Sequence, residues 1–121
     1  MKNALIYLQD LLHYLRLVEQ FTNEGREAFL KDVRTQLAVI RAYEVIGEIV
    51  KRLPAEIRDQ ETKIEWRKLA GFRDFLAHNY EEIVLDYIWR AVEDLPDLKS
   101  VIEELIGTLQ KNQPPGQPPE E

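Results

Sequence analysis

Two residues that can manage a phosphodiester, Arg73 and His78, stand close together in the run Gly71-Phe72-Arg73-Asp74-Phe75-Leu76-Ala77-His78-Asn79-Tyr80. A histidine that titrates near neutrality can take a proton from a ribose 2′-OH or return one to a leaving oxygen. A guanidinium can hold a phosphate through two parallel hydrogen bonds and offset charge that develops in the transition state. These are the parts that RNA cleavage without a metal requires. One histidine does not readily serve as base and acid at once, so two copies of the motif facing each other across a dimer would meet the need.

On a continuous helix, positions five apart differ by about 140° in azimuth and roughly 7.5 Å in rise. Arg73 and His78 therefore diverge at their backbones, and only a long arginine side chain can close the gap, most easily if the helix frays near Asn79. Asp74 and His78 are four apart and share a face, which lets the carboxylate orient the imidazole or raise its pKa. Tyr80 returns to the arginine's face. The same spacing also fits a plainer role, a helix-end histidine over the C-terminal dipole with Arg73 in a surface salt bridge. His13 has no comparable neighbours and reads as a bundle-surface or interface residue.

The elements that must position this run read as helices joined by short turns. Ala4, Leu8, Leu11, Leu15 and Val18 recur at alternating spacings of four and three, widened by Leu5 and Leu12, the mark of a core-facing helix. After Thr22 to Gly25 comes a short turn through Phe29, with Asp32 as a plausible cap for the next helix. That helix, Val33 to Leu53, carries two apolar stripes, Ala38-Ala42-Val45-Ile49 and Val39-Tyr43-Ile46-Val50-Leu53, and so should be central or pack on a second subunit. Its remaining face is polar: Arg34, Arg41, Glu44 and Glu48. Pro54 stops it.

A charged connection, Glu56 to Lys63, leads to a third helix from about Glu65 to His78 with Leu69, Phe72 and Leu76 inward. A fourth turns Val84, Ile88, Ala91 and Leu95 inward. Pro96 is placed in the first turn of a fifth, where its missing N–H costs nothing. Leu98, Val101, Ile102, Leu105 and Leu109 line that helix's buried side. No run alternates with period two, so no strand is expected. The tail 112–121, with Pro114, Pro115, Pro118 and Pro119, has little to bury and should be extended or disordered.

The 121 residues leave room for one domain, 1–111, ahead of that tail. There is no cysteine, which excludes disulfides and thiolate metal sites and makes a cytoplasmic home the natural default. Met1 to Val18 is interrupted by Asp10, His13 and Arg16 and reads as neither signal peptide nor membrane span. The net charge is −6, but it is unevenly spread. Residues 1–80 hold 13 of the 16 Lys and Arg against 12 of the 22 Asp and Glu, whereas residues 81–121 hold 3 against 10. An RNA surface must therefore be local and lie on the first two-thirds.

At Arg73-x4-His78-x-Tyr80 the chain resembles the HEPN superfamily, and within it the HepT-like toxins encoded beside a minimal nucleotidyltransferase. The likeness extends to Ala38-Val39-Ile40-Arg41-Ala42-Tyr43-Glu44-Val45-Ile46-Gly47-Glu48, to Trp66 through Asp74, to Ile88-Trp89 and to Asp94-Leu95-Pro96-Asp97-Leu98. It covers roughly residues 3–110.

The resemblance implies an all-α, up-and-down bundle of four to five helices that dimerises with both motifs lining one cleft. It implies a metal-independent endoribonuclease, the toxin of a toxin–antitoxin pair, with no cofactor. Arg73 and His78 match the catalytic pair, and Asp74 fills a position where a polar residue is usual. Tyr80 matches a tyrosine to which an MntA-like nucleotidyltransferase antitoxin adds AMP, which would put charge and bulk in the cleft. The stripe of Arg34, Arg41, Glu44 and Glu48 becomes a candidate cleft wall, or else an ordinary solvated face. Gly47 and Gly71, inside helices, point to close approach of a helix or subunit. Trp66 and Trp89 read as packing residues, Trp89 also as an interface anchor. Two other readings stay open: a non-catalytic subunit that presents a nucleotide or substrate to a nucleotidyltransferase, and a helical dimerisation module.

Overall fold

In the computed structural model, Leu5, Leu8, Leu11, Leu12, Leu15 and Val18 are buried along one side of α1 (Ala4–Phe21). The structure describes residues 3–78 and 82–112, without the side chains of residues 73, 77, 78 and 82–84. The Asn3 side chain accepts from the Ile6 amide at 3.1 Å and opens α1. The Thr22 hydroxyl closes it by donating to the Val18 carbonyl at 2.7 Å. The chain then turns at Gly25, whose φ of 95° lies in the left-handed region that a side chain disfavours.

α2 (Arg26–Lys31) is short and held by Phe29, which is wholly buried. Asp32 then caps α3 (Val33–Arg52), accepting from the Arg34 amide at 3.0 Å and the Thr35 hydroxyl at 2.9 Å. The Thr35 hydroxyl first, then the Arg34 and Thr35 amides, hold the Asp32 carboxyl below its ordinary value. Helix α3 is central, one of the two placements its double stripe allows, and packs on α1, α2 and α5 (Trp66–His78). α4 (Ala55–Gln60) precedes α5, and α6 (Glu82–Lys111) returns along α1.

The all-α expectation holds, and the described residues contain no strand. The division into helices differs at three places. The turn through Phe29 closes into α2, because one helical turn brings Phe29 onto the core. The stretch from Glu56 to Lys63 begins as α4, which buries Ile57 in the same way.

Pro96 lies inside one continuous helix and not at the start of a fifth. An interior proline costs about 3 kcal/mol. Ile88, Leu95 and Ile102 recur at seven-residue spacing and are all fully buried, each contributing about 1.5–3 kcal/mol. Breaking the helix at Pro96 would take that stripe out of register, so continuity wins. Pro96 itself faces solvent. The tail from residue 113 lies outside the described residues.

Candidate functional site on helix α5

The inner side of α5 is fixed by three buried residues, Trp66, Phe72 and Leu76. The Trp66 indole N–H donates to the Glu61 carbonyl at 3.0 Å, locking the start of the helix, and Phe72 meets Tyr43 of α3 edge-on at 5.1 Å. Trp66 is therefore a packing residue. On the opposite side Arg67, Gly71 and Asp74 are exposed at spacings of four and three, and His78 is next in that register. Arg73 and His78 both belong to α5, but the positions of their side chains lie outside the description. Tyr80 lies outside it altogether.

Asp74 stands 3.7 Å from the Lys51 ammonium of α3. Both groups are well exposed, so the pair adds little to stability, but it places the polar face of α3 beside the outer face of α5. Arg34, Arg41, Glu44 and Glu48 all belong to that α3 face, with both arginines exposed and both glutamates half-buried. Lys51 is the residue that the sequence reading missed. The signal was present, since Lys51 continues the stripe three positions beyond Glu48.

Tyr43 lies beneath this surface. Its hydroxyl is buried with no hydrogen-bonding partner among the described residues, and desolvation, with the Asp94 charge second, pushes its pKa well above the ordinary value. Tyr43 is a packing residue that stays protonated. The two helical glycines differ: Gly47 is buried in α3, whereas Gly71 is exposed, and a Cβ built there meets nothing within 4 Å. Among the described residues, close approach of another helix is therefore not the reason for Gly71.

Elsewhere, Trp89 packs on Phe29 at 5.5 Å and borders a shallow polar hollow of about 280 Å³ with Arg26, Asp86, Arg90 and Glu93. Arg26 and Asp86 pair there at 2.6 Å. His13 is exposed and meets the edge of Tyr14 at 5.2 Å. Among the described residues no cluster of three His, Asp or Glu could hold a metal ion, and no helix is long and apolar enough to cross a membrane.

Comparison with known proteins adds to this geometry. The family described as "Ribonuclease HepT-like" matches residues 11–105, a span that contains α3, α5 and most of α6. The chain is 43% identical over 101 residues to "Probable ribonuclease HepT" of Thermococcus cleftensis, covering 82% of this chain and 92% of that one. It is 36% identical over 112 residues to "Putative RNase MJ0127" of Methanocaldococcus jannaschii, covering 88% and 93%. A third relative, "Gamma-glutamylcyclotransferase and putative RNase MJ0434" of the same organism, is 37% identical over 113 residues. That match covers 92% of this chain but only 51% of the longer protein. No solved structure gives a significant match.

Proposed function

Since the chain belongs to the HepT-like ribonuclease family of the HEPN superfamily, we propose that it is a metal-independent endoribonuclease, the toxin of a toxin–antitoxin pair. The observation that carries the reading is the placement of Arg73, Asp74 and His78 on one helix. The inner side of that helix is locked by Trp66 and Phe72, and its outer side faces solvent beside the charged face of α3.

In this reading the catalytic cleft forms between two copies of the chain. One His78 takes the proton of a ribose 2′-OH, and that oxygen attacks the adjacent phosphorus. The bond to the 5′ oxygen breaks, and the His78 of the second copy gives that oxygen its proton. A 2′,3′-cyclic phosphate and a 5′-hydroxyl result, and no metal enters the proton balance. Arg73 holds the phosphate oxygens and offsets charge in the transition state. Asp74 sets the orientation of His78, four positions on, while Lys51 limits how far its carboxylate can swing. Tyr80 is the site at which a partner nucleotidyltransferase adds AMP, closing the cleft by charge repulsion and bulk.

The test is induced expression of the wild type, Arg73→Ala and His78→Ala, followed by cleavage of single-stranded RNA in EDTA by the purified proteins. Growth arrest and cleavage by the wild type, with a loss of about 10²–10⁴-fold for His78→Ala and a comparable loss for Arg73→Ala, are expected. Equal arrest and equal cleavage by all three would remove the assignment.

A further inference from the structure

A ladder of rings runs from the core to the surface beside the catalytic helix. Tyr43, fully buried, meets Phe72 at 5.1 Å, and Phe72 lies 6.2 Å from Phe75 in a nearly parallel stack. The half-buried Phe75 then carries Tyr87 of α6 at 4.7 Å with an interplanar angle of 35°, and Tyr87 also lies 5.6 Å from Phe72. Tyr87 is the outermost rung and is 42% exposed. Its support belongs to the motif itself, because Phe75 lies between Arg73 and His78 and is a helical neighbour of His78 at spacing three.

We infer that Tyr87, where α6 meets Phe75 of α5, is a base-stacking subsite for single-stranded RNA, a contact made through the ring and lying beyond the cationic first two-thirds of the sequence, that holds a nucleobase next to the phosphate that Arg73 and His78 act on. A base needs one open aromatic face, and stacking is the usual way in which proteins hold unpaired bases. The Tyr87 ring already leans on Phe75 and Phe72, so little side-chain freedom remains to be lost when a base is added. Arg90, also exposed, lies three positions further along α6. A protein partner fits this surface less well. The exposed residues that follow Tyr87 on α6, Arg90, Glu93 and Asp94, are charged, and the centre of a protein interface is depleted of charge. The inference rests on the ribonuclease reading for the identity of the ligand.

The experiment measures binding of a dye-labelled, fully 2′-O-methylated single-stranded RNA, which cannot be cut, to the wild type, Tyr87→Trp, Tyr87→Phe, Tyr87→Leu and Tyr87→Ala. Cleavage of the unmodified RNA, thermal melting and gel-filtration mass are followed in parallel. Tyr87→Leu keeps an apolar side chain on Phe75 but has no π face, so it separates stacking from folding. Tyr87→Phe and Tyr87→Trp are expected to bind like the wild type. Tyr87→Leu and Tyr87→Ala should bind about 5- to 150-fold more weakly, the range for one stacked base, with the loss appearing in KM while kcat holds. Wild-type binding by Tyr87→Leu would overturn the subsite, and so would a fall in Tyr87→Leu to the monomer mass, which would make the ring a protein contact. Failure of the wild type to cleave unmodified RNA would instead overturn the ribonuclease reading, and ring-dependent binding would still support the stack.

Discussion

Arg73 and His78 are ordinary residues whose value lies in their position, and the side chains beneath them are what hold that position. Tyr43 does so at some cost. Its ring fills the space under Phe72, but its hydroxyl is buried without a partner among the described residues, at a desolvation cost. The consequence is a pH dependence with a definite sign. Burial raises the Tyr43 pKa in the folded protein above the ordinary value of 10.0, so above that pH the unfolded chain loses this proton while the folded chain keeps it. The folded state then holds more protons, and its stability falls as pH rises. Thermal melting of the wild type and Tyr43→Phe between pH 8 and 11 should show the wild type losing stability more steeply above about pH 10, with parallel curves below. Parallel curves throughout would show that the hydroxyl titrates freely. Tyr43 was legible in the sequence as a core residue from its place in an apolar stripe. Its orphaned hydroxyl was not, because whether a buried hydroxyl finds a partner depends on the elements packed around it.

Helix α5 has an inner side that the sequence places correctly and an outer side that it cannot interpret. Phe72 and Leu76 declare themselves by spacing, and the Asp32 cap of α3 declares itself by residue type. Pro96 misleads, because its local preference for a first turn is outweighed by the buried Ile88-Leu95-Ile102 stripe of α6, a tertiary effect. Lys51 is silent until α3 and α5 are packed and its ammonium is found beside Asp74. Gly71 is the most informative position on the outer side. Among the described residues nothing crowds it, yet a helical glycine is less stable than alanine by about 0.5–1 kcal/mol. Gly71→Ala should therefore raise the melting temperature of the protein, as read by circular dichroism. Gly71→Trp should fold as well as Gly71→Ala but fail to dimerise or to cleave RNA, because bulk there obstructs whatever approaches the helix. A Gly71→Trp protein with full cleavage would show that the open face of α5 is not used.

At the scale of the whole molecule the charge distribution and the fold agree. The acidic third of the sequence largely forms α6, which packs along α1, while α3 and α5 carry Arg34, Arg41, Lys51, Arg67 and Lys68 as well as the motif. A chain with net charge −6 can thus present a local cationic surface to RNA. What the motif of one copy lacks is a second imidazole beside His78, and the proposed cleft supplies it from the partner. Cleavage of RNA in EDTA by dimers reassembled from wild type and His78→Ala tests this most directly. If both histidines are needed, an equal mixture retains about a quarter of the wild-type activity, the share of dimers with two intact copies under random pairing. If each copy works alone, about half remains, and the shared cleft is wrong.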